Sequence, residues 1–240
     1  MFITMVKNKI NLMLPDFSDL VTHILHLSGY ESPERVEKSI RKEMEVSVEK
    51  VLACLKPESI YRTTDFEKCE NGIVKGSGLH IRSNKLSNLA SNLNDPESII
   101  CFAVTLGRNL DDRVREIQNH SMTQAFFMDA AGSAIAEIFA SQAESRLQTL
   151  LARKNLTVTE RFSPGYCDWD LCCGQDTIHQ FLMPECIGIH KYPSGMMIPE
   201  KTVTAVMIGA RGAKFKTPCS FCDRTSCTHR RDDLIPEKPV

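Results

Sequence analysis

The chain has 240 residues, of which 42% are hydrophobic and 25% are charged, as is typical of globular proteins and not of disordered or fibrous ones. Its 29 Lys and Arg against 30 Asp and Glu give a formal net charge of -1, which removes the basic excess expected of a nucleic-acid-binding protein. No run approaches the roughly 20 apolar residues of a membrane-spanning helix, and the N-terminus lacks the features of a secretory leader. We therefore expect a cytoplasmic protein without nucleic-acid or membrane partners, whose ten cysteines are reduced thiols.

Residues 1–97 predict an N-terminal region of helices and small strands. Ser32-Pro33 is typical of a helix start, and apolar residues then recur at steps of three and four until Pro57 ends the helix. The glycines and β-branched residues of 72–81 indicate a short strand or a hairpin. A short helix is expected over 84–93.

Residues 98–212 predict the core of the fold. The apolar, β-rich run 99–106 indicates a buried strand. The longest helical pattern covers 123–154 and has one apolar face. Glu137 and Glu144 lie on the opposite face of that helix, where Glu137 is either a solvated carboxylate or a ligand contact.

The second half of the core mixes short elements. Strands are expected at 156–161, 187–189 and 203–208, a loop at 167–175 and a short helix at 177–182. Because helices and strands do not alternate regularly, the pattern favours an α+β fold over a doubly wound parallel sheet. Neither a dinucleotide-binding glycine motif nor a P-loop occurs, so nucleotide-binding folds of those classes have no support.

Arg161-Phe-Ser-Pro-Gly-Tyr166 is the most informative segment for function. Pro164 and Gly165 can bring the backbone close to a ligand, since glycine carries no side chain and tolerates a positive φ. Arg161 offers a planar guanidinium to a carboxylate or phosphate, and Tyr166 offers a flat aromatic face. The commoner roles of these residue types are a surface ion pair for the arginine and a core anchor for the tyrosine.

Five segments in a fixed order carry a resemblance to a known family. They are Thr105-Leu-Gly107, Asp129-Ala-Ala-Gly-Ser133 with Glu137, Arg161 to Tyr166 with Asp168-Trp169, Ile187-Gly188-Ile189, and Ser194 through Met196-Met197-Ile-Pro199 to Lys201-Thr-Val203. The series resembles the activation domain of cobalamin-dependent methionine synthase and its short stand-alone relatives. After Tyr166 the chain departs from the synthases, which continue with Pro-Ala-Cys-Pro, and its Asp-Trp version is similar to the stand-alone branch.

The resemblance implies a central, mostly antiparallel sheet flanked by helices, and a function. In that family the domain binds S-adenosylmethionine in a shallow groove and presents the sulfonium methyl to a corrinoid in its inactive Co(II) state. By similarity, Arg161 would bind the methionyl carboxylate, and Glu137 would contact the amino or ribose end. Pro164, Gly165 and Tyr166 would line the groove. No catalytic residue is assigned, because the chemistry belongs to the corrinoid.

The partners follow from what the sequence lacks. It has no Asp-x-His-x-x-Gly motif for ligating a corrinoid, and it is too short for substrate barrels of about 250 residues each. The resemblance therefore implies a separate corrinoid-carrying protein or methyltransferase and an electron donor such as a flavoprotein. Synthases also contact the ligand through an early aspartate, for which Asp65 and Asp168 are the two candidates here.

Residues 213–240 form a basic, cysteine-containing tail. Cys219 and Cys222 have a spacing that can grip one tetrahedral metal, and Cys227 could add a third thiolate to a zinc site or an iron–sulfur cluster. The alternative to a metal site is a set of ordinary thiols on a mobile tail. A fourth ligand could come from Cys167, Cys172, Cys173 or Cys186.

Two further functions stay open at this point. One is a non-catalytic module that docks onto a corrinoid methyltransferase and uses the cysteine tail as a structural metal clip. The other is an independent methyltransferase, for which the sequence offers no identifiable catalytic base.

Overall fold

A computed structural model describes residues 5–6, 13–14, 16–30, 32 and 35–212, with the backbone alone for 5–6. The helices and strands of these residues, in chain order, are β1 (Met5–Val6), α1 (Phe17–Leu27), α2 (Lys38–Cys54), β2 (Glu58–Glu70), β3 (Ile73–Gly76), β4 (Leu79–Arg82), α3 (Asn84–Ser91), β5 (Pro96–Thr105), α4 (Arg108–Gln118), α5 (Met122–Ala152), β6 (Thr157–Val158), α6 (Leu171–Leu182), β7 (His190–Lys191), β8 (Met197–Ile198) and β9 (Thr202–Ala210).

An antiparallel sheet forms the middle of the fold, with strand order β4-β3-β2-β5-β9-β6 and β1 paired to β2. The central strand β5 pairs with β2 on one side and with β9 on the other along almost its whole length. β7 and β8 form a separate two-stranded ribbon. The predicted α+β class with a central antiparallel sheet flanked by helices is confirmed.

Each face of the sheet is covered by its own group of helices. Side chains alternate along β5, so Phe102 and Val104 pack towards α1, α2, α4 and α5. Ile99 and Cys101 point to the other face and pack with α3 and α6. Burial on both faces explains why β5 is an uninterrupted apolar run in the sequence.

The helix α5 carries a line of polar side chains on the side away from its apolar face. Asp129, Ser133, Glu137 and Ser141 follow one another at four-residue spacing, and Glu144 continues the line. Residues at this spacing lie above one another on a helix. From Asp129 to Glu144 this polar stripe extends over fifteen residues, or about 22 Å at the helical rise of about 1.5 Å.

Several sequence expectations agree with these elements and others do not. The hairpin expected in 72–81 is β3 with β4, and the strand expected at 203–208 is β9. The strand expected at 187–189 is wrong, because Pro184–Ile187 forms a 3₁₀ turn and Gly188 has a φ of 77°. The loop expected at 167–175 is wrong in its second part, since α6 already begins at Leu171.

Two elements were not foreseen. The side chains of β2 are mostly half-buried or exposed, so its sequence contains no apolar run, and its pairing with β5 stabilises it as a strand. The helix α1 begins after the N-cap residue Asp16, whose carboxylate accepts from Ser18 N at 3.0 Å. The predicted helix start at Ser32-Pro33 is also wrong in position: α2 begins at Lys38, and Pro33 lies outside the described residues.

The boundary expected at residue 97 falls within β5, and the sheet contains strands from both sides of it. Within the described part of the chain, the helices are all too short or too polar to cross a bilayer.

Candidate functional site

Arg161 lies in an extended segment that follows β6 and pairs with β9 at the edge of the sheet. After β6 the chain continues along β9, with Thr159 N donating to Ile208 O at 2.9 Å and Phe162 N donating to Val206 O at 2.8 Å. Phe162 packs with the α6 side of the sheet, so its neighbour Arg161 points to the opposite side, towards α5.

Arg161 is held at three points by the polar stripe of α5. Its Nη1 donates to Glu144 Oε2 at 2.9 Å and to Ser141 Oγ at 3.2 Å, and its Nη2 donates to Glu137 Oε2 at 2.5 Å. Glu144 also accepts from the backbone N of Arg161, at 2.9 Å, through its other oxygen. The side chains of Arg161 and Glu144 are 5% and 8% exposed, so this pair is buried. Two carboxylates therefore fix the guanidinium on the helix before any ligand arrives.

Glu137 and Glu144 differ in exposure although both contact Arg161. The Glu137 side chain is 50% exposed, which agrees with the solvent-facing position expected for it. Glu144 is buried, and the buried guanidinium supplies the charge partner that a buried carboxylate needs. Sequence reasoning missed Glu144 as a site residue. Its one signal was its place on the same line of the helix as Glu137.

The turn after Arg161 is fixed by packing against α6. Gly165 N donates to Trp169 O at 2.8 Å, and Gly165 has a φ of 86°, which glycine adopts without strain. A side chain at Gly174 of α6 would lie 2.8 Å from Pro164 Cβ and 2.9 Å from Trp169 Nε1. The turn can therefore approach the start of α6 only because that position is a glycine.

Tyr166 lies on the outer side of this turn. Its exposed fraction is 50%, so the alternative role as a core anchor is wrong. Leu171, at the start of α6, lies next to the turn at Gly165. It also lies next to a second turn, at Gly195, which connects β7 and β8. Around the two turns the surface carries further exposed apolar side chains, among them Met196. The chain thus presents an aromatic and apolar surface at the turn that follows Arg161.

The two candidates for an additional aspartate contact are separated in the fold. Asp168 accepts from Ser83 Oγ at 2.6 Å and from Asn84 N at 2.6 Å, and so caps the N-terminus of α3. This engagement gives Asp168 a structural use. Asp65 is exposed on β2, opposite Ser98 of β5.

A second cation lies at the other end of the polar stripe. Lys201 Nζ donates to Asp129 Oδ1 at 2.6 Å and to Ser133 Oγ at 3.0 Å. Its side chain crosses α5 at Gly132, where a Cβ would lie 3.2 Å from two Lys201 carbons. The next residue, Thr202, donates to Thr105 Oγ1 or accepts from it at 2.9 Å. Three of the segments that carry the family resemblance therefore meet here.

No metal centre is found in the described ranges: they contain no group of three His, Cys, Asp or Glu side chains placed to hold an ion. The predicted ligands Cys219, Cys222 and Cys227 lie outside the described residues. Cys172 Sγ donates to Ser194 O at 3.2 Å. A hydrogen bond to the Asp170 carboxylate raises the pKa of the Cys173 thiol, which disfavours the thiolate that a metal would need.

Comparison with known proteins shows a relationship of fold. No family model matches the chain, and no curated protein matches it in sequence. The structure is similar to the crystal structure of the MetH reactivation domain bound to AdoHcy, with a TM-score of 0.61 over 90% of this chain and 81% of that chain. The sequence identity is 15%, so the likeness is one of architecture. It confirms, at that level, the relationship that the ordered sequence segments imply.

Proposed function

We propose that the chain binds S-adenosylmethionine beside Arg161 and uses it to remethylate, and so reactivate, a corrinoid carried by a partner protein. The observation that carries the proposal is the contact of Arg161 with Glu137, five residues before the exposed Tyr166, in a fold similar to that of an AdoHcy-bound reactivation domain. AdoHcy is the product that S-adenosylmethionine becomes when it gives up its methyl group, so the two ligands share every group except that methyl.

The charges of the site match those of the ligand. A guanidinium carries five N–H donors, and the contacts described above use three of them, so Arg161 can also donate to a ligand carboxylate. The exposed Glu137 carboxylate favours the ammonium and sulfonium cations of the same ligand. Charge-assisted hydrogen bonds of this kind are stronger than neutral ones.

Glu144 acts in this proposal by positioning Arg161. It holds both the backbone and the guanidinium, so the fork keeps one orientation when Glu137 turns towards the ligand. Arg161 therefore does not need to be reorganised on binding, which lowers the entropic cost of recognition. Tyr166 supplies a flat surface for the adenosyl part of the ligand, and Pro164 and Gly165 let the backbone approach it.

The transfer itself needs a reductant and a methyl acceptor from outside the chain. A one-electron donor, for which a flavoprotein is proposed, reduces Co(II) to Co(I), which takes the methyl group while the C–S bonding pair stays on sulfur and S-adenosylhomocysteine leaves. The chain binds and orients the donor and keeps the sulfonium methyl open to the partner. The exposed apolar surface beside Tyr166 is the proposed contact with the corrinoid-carrying protein.

Calorimetric titration with S-adenosylmethionine tests the binding step. Arg161→Lys keeps the charge but loses the planar fork, and Tyr166→Ala removes an exposed ring, so both variants are expected to fold. We expect Arg161→Lys to weaken binding by roughly tenfold or more, as loss of a charge-assisted contact does, and Tyr166→Ala to weaken it through loss of the flat surface. Arg146→Lys, at an exposed arginine of α5, is the matched control and should bind like the wild type.

The methyl-transfer step is tested by reconstitution with a corrinoid protein in the Co(II) form, a reductant and S-adenosylmethionine. The absorption spectrum should shift to that of the methylated corrinoid only when all components are present. Absence of binding by the wild-type chain at millimolar ligand, or equal binding by Arg161→Lys and the wild type, would overturn the proposal.

A further inference from the structure

A cleft between α4 and α5 lies at the opposite end of α5 from Arg161 and has no part in the function proposed above. The cavity has a volume of about 340 Å³ and is bounded on one side by Glu200 and Lys201, just before β9. This volume is at the small end of the range for small-molecule pockets. One wall is apolar and consists of Leu110, Val114, Met122, Ala125 and Phe126.

Most charges at the polar end of the cavity cancel in pairs. Lys201 Nζ lies 2.6 Å from Asp129 Oδ1, and Arg115 Nη2 lies 3.1 Å from Glu200 Oε1. Neither cation is therefore left to attract an anion into the cavity.

Asp111 is the exception. It is 5% exposed, and its Oδ2 accepts from Glu200 N at 2.9 Å. Among the residues that the structure describes, no Lys, Arg or His forms an ion pair with it. Burial raises the pKa of this carboxyl, while the bond from Glu200 N and the charges of Arg115 and Lys201 oppose the rise. A buried carboxylate without a close counter-ion is costly, and a cation bound in the cavity would remove that cost.

The outer end of the cavity is apolar and uncovered. Met122 and Phe126, one turn apart on α5, are 71% and 55% exposed although both line the cavity. A ligand that neutralises Asp111 would also bury these side chains if it carried an apolar body.

We propose that this cavity binds a small organic ammonium ion, whose charged group pairs with Asp111 and whose apolar body packs against Phe126 and Met122. The proposal is independent of S-adenosylmethionine binding at Arg161. Three features select this class of ligand: a buried carboxylate that forms no ion pair among the described residues, two cations already paired with other carboxylates, and a small cavity with an apolar wall.

The test uses 2-phenylethylammonium as the probe, with 2-phenylethanol as its uncharged counterpart. Protein labelled with ¹³C at the methionine methyls reports binding through the resonance of Met122, assigned by its loss in Met122→Leu. We expect the ammonium probe to shift this resonance at millimolar concentration and the alcohol to bind roughly tenfold more weakly or worse.

Asp111→Asn keeps the shape of the side chain and its acceptor for Glu200 N, so the variant is expected to fold. Its affinity for the ammonium probe should fall roughly tenfold or more. Asp112→Asn, the adjacent exposed carboxylate on α4, is the matched control and should leave the affinity unchanged. The proposal is overturned if the wild type shows no shift at Met122, if the alcohol binds as well as the ammonium, or if the two variants behave alike.

Discussion

At each end of the polar stripe on α5, acidic and hydroxyl side chains bind a cation, but the two ends differ in how deeply they are buried. At one end Arg161 contacts Glu137, Ser141 and Glu144, and at the other Lys201 contacts Asp129 and Ser133. Lys201 lies directly before β9, and Arg161 lies in the segment that pairs with β9. Both side chains lie across α5.

The difference between the ends is burial. The Arg161 and Glu144 side chains are 5% and 8% exposed, whereas Asp129, the partner of Lys201, is 51% exposed. A buried pair loses far more when one partner is removed, because the remaining charge stays in a poorly solvated place. The Lys201 side chain is 13% exposed, but water screens its half-exposed partner Asp129, so this pair contributes less. The distances of 2.9 and 2.6 Å would suggest the reverse order, so exposure decides the energetics here and distance does not.

The largest expected effect is at the buried end. Glu144→Ala leaves Arg161 with an unsatisfied backbone N–H and a charge that only Glu137 balances, so we expect unfolding free energy to fall by about 3 to 5 kcal/mol. Glu137→Ala removes a half-exposed carboxylate and should cost about 1 kcal/mol or less. Urea denaturation measures both. Equal losses for the two variants would contradict the conclusion that burial sets the energetic weight of each carboxylate around Arg161.

A smaller effect is expected at the exposed end. A double-mutant cycle of Lys201→Ala and Asp129→Ala should give a coupling energy of about 1 kcal/mol or less, because Asp129 is half exposed. High salt should reduce the coupling energy further because it screens the two charges, and the same urea titrations measure this. A coupling as large as the loss in Glu144→Ala would show that Lys201 is held as firmly as Arg161.

The smallest effect concerns pH and the cavity next to Lys201. Burial raises the pKa of Asp111, so the folded state holds its proton more tightly than the unfolded chain does. The contribution of Asp111 to stability should therefore fall as pH rises from about 4, the unfolded pKa, through the folded pKa.

Asp111→Asn removes this titration, so the variant should gain stability relative to the wild type across that same window. Urea denaturation at a series of pH values between the unfolded and the folded pKa of Asp111 measures the difference in unfolding free energy between the variant and the wild type. Asp112→Asn, on the exposed side of α4, controls for removing one negative charge from the helix. A difference between Asp111→Asn and the wild type that does not change with pH would exclude a buried charged Asp111.

The sequence singled out some of the candidate residues but not how they pair in the fold. Arg161, Glu137 and Tyr166 could be singled out from the motif segments, and α5 could be placed from its periodicity. Glu144 could not, because a helical wheel assigns faces from one helix alone. What buries Glu144 is an arginine seventeen residues later, delivered by the edge pairing of Phe162 with Val206.

The same limit applies to the sheet. β5 can be predicted from the sequence because burial on both faces gives it an apolar run. β2 has no apolar run, and its pairing with β5 stabilises it as a strand. The start of α6 was missed although Asp170 is an N-cap residue there, since the adjoining cysteines and the glycine of that segment suggested a loop. Local patterns thus predict elements that are buried or periodic, and they miss those that depend on a distant partner.

Trp169 gives the molecule a built-in optical reporter. It is the single tryptophan of the chain, it is 3% exposed, and its ring stacks on Phe162 with centroids 5.8 Å apart. Indole emission under selective excitation therefore originates from the segment between Arg161 and α6 and from nowhere else in the chain. A molecule that settles on Tyr166, three residues earlier, changes the surroundings of this chromophore, whereas events in the cleft beside α4 leave its emission constant.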